Sequence, residues 1–354
     1  MNIIRFKNNP LIAPSDITPY HDGYEVIGVF NAGVAKLNDQ TILLLRVAER
    51  PLSEDANVIY APVYNHTKKT VEKVEYNLND NRFDFSDPRT IQINDGSKRL
   101  THLTSLSYVR LARSYDGETF VVDDEPFLYP YDKYTSFGVE DPRCTQIEDE
   151  FVITYTSVSE YGIGVSAVKT KDFENTEFIG NIFAPENKDV LIFPEKIQGK
   201  YYALHRPSLS SLGGLNIWLA SSPDLLSWGN HKFLIGTRED SWESQRIGGG
   251  LPPIKTEKGW LIIYHGANEK SRYCMGAALL DLNSPDKVIA RAKQPIMEPT
   301  VEYEQKGFFG DVVFGCGGVV EGDTLTMYYG ASDTTTAGCK LSIREILNQL
   351  EEEL

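Results

Sequence analysis

Two adjacent carboxylates in the middle of the chain are the residues best suited to chemistry. They belong to the segment Gly-Val-Glu-Asp-Pro-Arg at positions 138–143, which opens a strand-like run and places Glu140 beside Asp141. Proline is tolerated at the first residue of a strand, because no ladder donor is needed there. The acidic pair has no such structural reason. It fits either a solvated surface corner or a functional site, and we favour the site.

Cations recur at matching places in the sequence pattern. Arg46, Arg206 and His265 each lie near the end of an apolar run that follows a polar turn. A buried charge must be paired or given a ligand. Any one arginine could pair with a carboxylate of a neighbouring sheet, such as Glu195, but the three residues together favour an anion site.

The elements that must position these residues form one hairpin that is repeated five times. Apolar, β-branched and aromatic runs bounded by polar turns indicate strands. The turns lie at residues 38–39, 148–150, 198–199, 257–259 and 321–323. Their spacing is roughly 50 to 65 residues for the last four copies and about twice that after the first, which predicts an all-β, five-bladed β-propeller. A β-sandwich is the alternative, and we interpret residues 1–354 as a single domain.

In a propeller the first strand of each blade lines the central channel, so the polar ends of these strands should share one pocket. The first-strand residues expected there are Asn31, Glu140, Asp141, the Phe-Pro-Glu segment 193–195, the glycines 248–250, and Asp311 with Gly315; the second-strand residues are Arg46, Thr156, Arg206, His265 and Gly330. A helix is predicted over 342–354, where Ser342 and Glu345 make a capping box. Its apolar face comprises Ile343, Ile346, Leu347 and Leu350.

Charge and composition disfavour several classes of partner. The 354 residues carry a net charge of -15, so neither a nucleic acid nor an anionic membrane is an expected partner. The four cysteines are scattered, without metal spacing, which is typical of buried thiols in a reduced, cytoplasmic protein. The sequence has no signal-peptide-like run, membrane-length apolar run, Walker loop, dinucleotide fingerprint, GxSxG or HExxH motif. We expect no metal or organic cofactor.

Five groups of motifs follow one another along the chain in a specific order. They are Gly-Val-Glu-Asp-Pro-Arg at 138–143, Phe-Pro-Glu-Lys-Ile at 193–197 with Leu-His-Arg-Pro at 204–207, Trp-Glu-Ser-Gln-Arg-Ile-Gly-Gly-Gly at 242–250, Gly-Ala-Ala-Leu-Leu-Asp at 276–281, and Tyr-Tyr-Gly-Ala-Ser-Asp at 328–333. Together they resemble glycoside hydrolase family 130 over residues 8–340. The resemblance implies a five-bladed propeller that attacks β-mannosides with inversion, mostly by phosphate and in some members by water. Segment 24–33 and the overall length look most like the subgroup acting on β-1,2-linked mannobiose and mannooligosaccharides.

The resemblance also implies roles for individual residues. Asp141 matches the general acid. The expected sugar ligands are Asn31, Arg46, Ser105, Glu140, Arg143 and Asp333, and the expected phosphate ligands are Lys188, Arg206, Arg246, His265 and Tyr273. The expected partners are a β-mannoside oligosaccharide and inorganic phosphate as co-substrate, with no cofactor. The C-terminal helix is a candidate homodimer contact.

The residue types themselves bear on the choice between phosphate and water. An inverting hydrolase needs two carboxyl groups, an acid for the leaving oxygen and a base for a water, whereas a phosphorylase needs one acid and several cationic donors. The sequence offers one clear acid and three or four cations, and Glu243 is the carboxylate that could serve a water instead. For Asp141 to be protonated at neutral pH, burial or the neighbouring Glu140 would have to raise its pKa.

We therefore expect a phosphorylase of β-1,2-mannobiose or mannooligosaccharides that releases α-mannose 1-phosphate. The alternatives are a hydrolytic β-mannosidase, a phosphorylase of β-1,4-mannosides, and a non-catalytic sugar-binding propeller. Linkage and chain length are expected to depend on loops such as 123–137 and 208–214.

Overall fold

The computed structural model describes residues 2–97, 99–208 and 212–352, which are nearly all β with two short helices. The strands are β1 (Ile4–Arg5), β2 (Tyr24–Leu37), β3 (Gln40–Pro51), β4 (Val58–Asn65), β5 (Thr70–Asn77), β6 (Phe83–Asp84), β7 (Thr90–Ile93), β8 (Leu100–Leu103), β9 (Leu106–Ser114), β10 (Val121–Leu128), β11 (Gly138–Ile147), β12 (Glu150–Ser159), β13 (Gly162–Thr170), β14 (Glu177–Phe183), β15 (Asn187–Ile192), β16 (Tyr201–Pro207), β17 (Ile217–Ser222), β18 (Gly229–Ile235), β19 (Arg246–Gly249), β20 (Ile254–Thr256), β21 (Gly259–Ala267), β22 (Tyr273–Leu280), β23 (Val288–Arg291), β24 (Val313–Glu321), β25 (Thr324–Ala331) and β26 (Thr335–Ser342). The helices are a 3₁₀ turn (Pro14–Asp16), α1 (Glu302–Gln305) and α2 (Ile343–Glu352).

Most strands fall into four-stranded antiparallel units. Unit 1 is β2, β3, β9 and β10; unit 2 is β11 to β14; unit 3 is β15 to β18; unit 4 is β19, β21, β22 and β23, with β20 also paired to β21; and unit 5 is β24, β25, β26 and β1. Units 1 and 2 belong to one larger sheet, because β11 and β9 pair in parallel at Gly138 and Ser107. The five hairpins predicted from the sequence are formed by the first two strands of each unit. In unit 4, β20 and β21 form the tip of the hairpin.

Apolar clusters join the units in cyclic order. One face of each strand packs against the preceding unit and the other against the next, because side chains alternate along a strand. The clusters are centred on Leu44 and Ile153 between units 1 and 2, Val165 and Val190 between units 2 and 3, Leu204 and Trp260 between units 3 and 4, Ile263 and Met327 between units 4 and 5, and Val34 and Tyr328 between units 5 and 1. The core is therefore distributed between neighbouring sheets.

An insertion explains the doubled spacing after the first hairpin. The small sheets β4–β5 and β6–β7–β8 lie between β3 and β9, and they share an apolar cluster of Ala61, Tyr76 and Ile91. Residues at the end of this insertion reach the cavity described below.

The predicted terminal helix is present and packs as expected. In α2 the side chains of Ile343, Ile346, Leu347 and Leu350 are buried, and they join the cluster between units 4 and 5. The Ser342 hydroxyl accepts a hydrogen bond from the Glu345 backbone N–H at 3.1 Å. The helix thus uses its apolar face within the chain.

Candidate active site

Bulges in three first strands interrupt the regular alternation of side chains. The bulged residues are Asn31 in β2, Asp141 in β11 and Asp189 in β15, with φ of 52°, 46° and 58°. Asparagine and aspartate tolerate this left-handed region better than most residues, and bulges re-aim side chains next to active sites. All three residues line one cavity.

In each unit, one residue of the first strand pairs with one residue of the second strand at an equivalent position of the sheet. The pairs are Phe30–Arg46, Glu140–Thr156, Lys188–Arg206, Gly248–His265 and Phe314–Gly330. The predicted equivalence of these second-strand residues is confirmed by the register. Arg46, Arg206 and His265 are the ones that line the cavity.

The cavity has a volume of about 390 Å³ and gathers nearly all the predicted site residues. Those that line it are Asn31, Arg46, Ser105, Glu140, Asp141, Lys188, Arg206, Arg246, His265, Tyr273 and Asp333. Arg143 is the exception, because its side chain is 2% exposed and lies behind the wall. Direct contact of Arg143 with a sugar does not fit this position.

Arg46 holds the two adjacent carboxylates at one end of the cavity. Its guanidinium donates to Asp141 Oδ1 at 2.9 Å and to Glu140 Oε1 at 2.8 Å, and Asn31 Nδ2 donates to the same Asp141 oxygen at 2.9 Å. Within the described residues no hydrogen bond is found to Asp141 Oδ2. That oxygen is therefore available to a ligand.

A protonated Asp141 at neutral pH would require a raised pKa, and the protein groups around Asp141 lower it instead. Burial alone would raise the pKa, but the charges of Arg46, Lys188 and Arg143 and the hydrogen bond from Asn31 lower it below its ordinary value. Opposite charges at hydrogen-bonding distance favour the charged form of a carboxyl group. Among these protein groups Asp141 is therefore ionised at neutral pH.

Asp333 is a carboxyl group of the cavity with a raised pKa. Burial, opposed by Arg46 and supported by Asp141, raises the pKa of Asp333 to about 6. Its backbone has φ of 49° in the turn between β25 and β26. Near pH 6 Asp333 is therefore partly protonated, whereas Asp141 is ionised.

Cationic and phenolic groups form the other side of the cavity. Arg246 Nη1 donates to the Tyr273 hydroxyl oxygen at 3.2 Å, so the phenolic hydrogen remains free to donate. Burial, partly offset by Arg246 and Arg206, raises the pKa of Tyr273 and keeps it protonated. Among the described residues, neither Lys188 nor Arg246 forms an ion pair with a carboxylate. This side can accept an anion.

His265 is uncharged at neutral pH. Burial lowers its pKa to about 3, although Asp189 opposes this effect. The ring is 1% exposed and lies 4.3 Å from the Phe314 ring, centroid to centroid. It can donate or accept one hydrogen bond but adds no positive charge.

Asp189 is one of the charged cavity residues that sequence reasoning missed. It pairs with Arg143 at 3.0 Å and with Arg206 at 2.9 Å. Burial alone would raise its pKa, but the charges of Arg206 and Arg143 outweigh burial and hold the pKa of Asp189 below the ordinary range. Arg143 also donates to the carbonyl oxygens of Gly249 and Gly250. Asp189 thus fixes the orientation of Arg206, and Arg143 ties β11 to unit 4.

Three expectations about strand ends are wrong. β15 ends at Ile192, so Phe193 is buried in the core and Glu195 pairs on the surface with Lys255 at 2.6 Å instead of with Arg206. Asp311 is exposed and precedes β24. Gly248 gives room to the side chains of Asp189 and His265, which a Cβ there would overlap. This glycine therefore serves side-chain packing instead of a close backbone approach by a ligand.

Glu243 does not reach the cavity. It is fully buried, accepts a hydrogen bond from the Tyr264 hydroxyl at 2.8 Å, and forms ion pairs with Arg291 at 2.8 Å and Arg238 at 3.5 Å. A carboxylate held in this way cannot activate a water beside the anion site.

The insertion and the segment before β24 supply cavity residues that the repeat does not predict. The Arg89 guanidinium lies 4.8 Å from the centre of the Phe309 ring, and both residues line the cavity. Arg89 is fixed by Asp87, whose carboxylate lies 2.8 Å away. In the sequence the Ser-Asp-Pro-Arg segment at 86–89, which includes Arg89, indicates a turn. Nothing in this segment indicates a binding site.

Comparison with known proteins decides the family. A family model described as β-1,4-mannooligosaccharide phosphorylase of glycoside hydrolase family 130 matches residues 98–352. The chain belongs to glycoside hydrolase family 130. The resemblance inferred from the ordered motifs is therefore confirmed.

This family 130 member has relatives whose names specify a linkage. It is 59% identical to β-1,2-mannobiose phosphorylase of Listeria innocua, over 100% of this chain and 99% of the relative. It is 38% identical to 1,2-β-oligomannan phosphorylase of Thermoanaerobacter sp., over 73% of this chain and 85% of the relative. A solved structure of β-1,2-mannobiose phosphorylase from Listeria innocua, in complex with β-1,2-mannobiose, gives a TM-score of 0.98 with full coverage of both chains.

Two further observations concern the described ranges. No helix there is long and apolar enough to cross a membrane. The four cysteines, Cys144, Cys274, Cys316 and Cys339, are buried and free, as predicted.

Proposed function

We propose that this enzyme cleaves β-1,2-mannobiose and short β-1,2-mannooligosaccharides with inorganic phosphate, releasing α-mannose 1-phosphate. The observation that carries the choice of phosphate is the anion side of the cavity. Among the residues that the structure describes, Lys188 and Arg246 have no carboxylate partner, while Glu243 is held elsewhere. The β-1,2 linkage rests on the relative that is 59% identical over the whole chain. A β-1,4-mannoside is the alternative substrate.

Asp141 is the proposed general acid. With the protein's own charges around it Asp141 is ionised, because Arg46 and Lys188 oppose burial and lower its pKa. A bound phosphate dianion would neutralise much of the cationic side and add negative charge, and both effects raise the pKa of a nearby carboxyl group. Protonation is thus coupled to phosphate binding, and Oδ2 is the oxygen that would carry the proton.

Lys188, Arg206, Arg246 and Tyr273 are the proposed phosphate ligands, with His265 as a neutral partner. Cationic and phenolic donors that are already fixed cost little reorganisation when charge develops in the transition state. Arg206 is fixed by Asp189 and Tyr273 by Arg246. Phosphate held there would attack the anomeric carbon from the face opposite the leaving oxygen, which inverts its configuration.

Asn31, Arg46, Ser105, Glu140 and Asp333 are the proposed ligands of the reacting mannosyl unit. All five line the cavity at or near Asp141. Arg143 is not among these ligands. Its proposed role is to position Asp141 and Asp189, since its guanidinium donates to the Asp141 carbonyl oxygen at 3.0 Å. No cofactor is proposed beyond phosphate as co-substrate.

The architecture that we propose is a single-domain, five-bladed β-propeller. It is supported by the five four-stranded units, by the apolar clusters that join unit 5 back to unit 1, and by β1, which completes unit 5 from the other end of the chain. The cavity lies where the bulged first strands meet. A cytoplasmic location remains a proposal, supported by the four free thiols.

The deciding experiment is incubation of the protein with β-1,2-mannobiose, with and without inorganic phosphate, followed by analysis of the sugar products. We expect α-mannose 1-phosphate in the phosphate sample alone. Free mannose without sugar phosphate would instead indicate a hydrolase. Turnover of β-1,4-mannobiose but not of the β-1,2 isomer would contradict the linkage, and binding without turnover of either would indicate a sugar-binding propeller.

A further inference from the structure

A second hollow lies behind one wall of the cavity. Val158 of β12 and Ile163 of β13 pair across their hairpin, and both line the cavity. Ser157 and Ser159, which flank Val158, line a separate hollow of about 240 Å³. Because successive side chains point to opposite faces of a strand, the cavity and the hollow lie back to back on one hairpin.

Two exposed tyrosines form the rim of this hollow. Tyr134 is 39% and Tyr161 52% exposed, and their rings meet edge to face with centroids 5.7 Å apart. Lys133 Nζ lies 5.0 Å from the Tyr134 ring centre and 5.5 Å from that of Tyr161. Aromatic side chains in a β protein are usually buried for stability, so an ordered exposed pair beside a hollow indicates a binding surface.

The lining of the hollow is mostly apolar, with a small group of polar side chains. The hydroxyl oxygens of Ser157 and Ser166 lie 2.5 Å apart, and Ser166 donates to Asn181 Oδ1 at 2.6 Å. Within the described residues no hydrogen bond is made by Asn181 Nδ2, which leaves two donors for a ligand. Aromatic walls with a few convergent polar groups are the usual composition of a pocket for a small organic ligand.

We propose that this hollow, the tyrosine subsite (Tyr134, Tyr161, Ser157, Ser166 and Asn181), binds one mannosyl unit of a longer β-1,2-mannooligosaccharide. The inference rests on the proposed function: with the reacting unit beside Asp141, the remainder of the chain must leave through the cavity mouth. The turn that carries Tyr161 joins β12 to β13 at the same end of the strands as the cavity. A leaving chain that crosses this turn reaches the tyrosine rings.

The test compares substrates of increasing length. Values of kcat/KM are measured at saturating phosphate for β-1,2-mannobiose through mannopentaose, with the wild type, Tyr161→Ala and Tyr134→Ala. In the wild type kcat/KM is expected to rise once the chain is long enough to reach the subsite. We define the length ratio as kcat/KM for that longer substrate divided by kcat/KM for mannobiose. In Tyr161→Ala this length ratio should fall about tenfold, because one aromatic contact and its desolvated surface are lost.

Tyr115→Ala is the matched control, because Tyr115 is 77% exposed and follows β9 at the end of unit 1 remote from the cavity. A length ratio that is unchanged in both Tyr134→Ala and Tyr161→Ala would overturn the subsite. If the length ratio is unchanged and the variants also elute as a smaller particle on gel filtration, the subsite is likewise overturned. The rim would then be a contact with a second copy of the chain. Calorimetry with mannopentaose in the absence of phosphate separates the subsite from the proposed phosphorolysis. Weaker binding by Tyr161→Ala than by the wild type supports the subsite even if mannobiose is not phosphorolysed.

Discussion

Arg46 links the two carboxylates of the acidic pair. Adjacent carboxylates repel one another. Here one guanidinium is shared by Asp141 and Glu140 at 2.9 and 2.8 Å, and its charge helps to hold the pKa of Asp141 below the ordinary value. The arrangement also fixes Oδ1 of Asp141 and presents Oδ2 to the cavity. The proposed general acid is therefore oriented by the protein itself, and we expect it to gain its proton only when the charge in the cavity changes.

Asp141→Asn should abolish turnover. Loss of a general acid costs on the order of 10³-fold in kcat, whereas the fold should lose little stability because Arg46 retains Glu140 as an ion-pair partner. Phosphate-dependent release of mannose 1-phosphate is measured beside the thermal unfolding midpoint. Near-normal turnover in a folded variant would remove Asp141 from the mechanism.

Arg246→Ala should weaken phosphate binding more than sugar binding. Within the described part of the chain this cation has no carboxylate partner, and it also orients the Tyr273 hydroxyl. We therefore expect the KM for phosphate to rise roughly 10- to 100-fold, the value of one charge-assisted hydrogen bond. Arg113→Ala, which removes an arginine that pairs with Asp123 away from the cavity, is the control. Equal KM values for phosphate in the two variants would be inconsistent with the assigned role.

Asp333→Asn should change how stability depends on pH. The pKa of Asp333 is about 6 in the folded protein against 3.8 ordinarily, so between these values the folded state binds more protons and wild-type stability falls as the pH rises. Asparagine cannot ionise and escapes this loss. Because Asp333 opens to the cavity, we expect the variant to gain only ~1–2 kcal/mol relative to the wild type between pH 4 and pH 7. Parallel urea-unfolding curves at both pH values would contradict the raised pKa.

At the scale of elements, the bulges convert a regular hairpin into a site. Gly330 of β25 faces the bulge of β2, and a Cβ at this position would overlap the Asn31 side chain. Gly330→Ala should therefore displace Asn31 from Asp141, lowering kcat about tenfold and stability by roughly 1–3 kcal/mol, as overpacking does. Gly229→Ala is the control, since a Cβ there meets nothing within 4 Å. Wild-type kcat in Gly330→Ala would show that Asn31 is not needed to hold the acid.

The hairpins were predictable because each element follows a local rule, whereas the bulges were not. Alternating apolar runs and polar turns gave the five hairpins and the equivalent places of Arg46, Arg206 and His265. Asp189 was missed because it precedes Val190, where the apolar run begins, and a left-handed residue inside a strand leaves no periodic signal. Arg89 lies in an insertion outside the repeat. The pKa of Asp141 depends on Arg46, a residue from another unit, and so cannot be inferred from its sequence neighbours.

At the scale of the whole molecule, unit 5 is held to the N-terminal strand by a buried ion pair as well as by β1. Arg5 Nε lies 2.7 Å from Glu304, which is fully buried and also accepts from the Tyr329 hydroxyl at 2.8 Å. Arg5→Ala should lower the free energy of unfolding by about 2–4 kcal/mol, because it leaves a buried carboxylate without its cation. Arg344→Ala removes the exposed pair with Asp323 and should change stability by less than about 1 kcal/mol. Similar unfolding curves for the two variants would show that the Arg5 contact does not hold the unit.

The pairing of β1 with β26 also has a consequence for how the protein is made. A ribosome releases β1 early and β26 late, so the first strand waits without its partner through most of synthesis. Until β24 to β26 emerge, the flank of unit 1 that they will cover is open, and so is that of unit 4. Exposed apolar flanks of this kind bind other chains. The last strands therefore complete the cyclic packing of the units, and we expect their docking to be the closing step of folding.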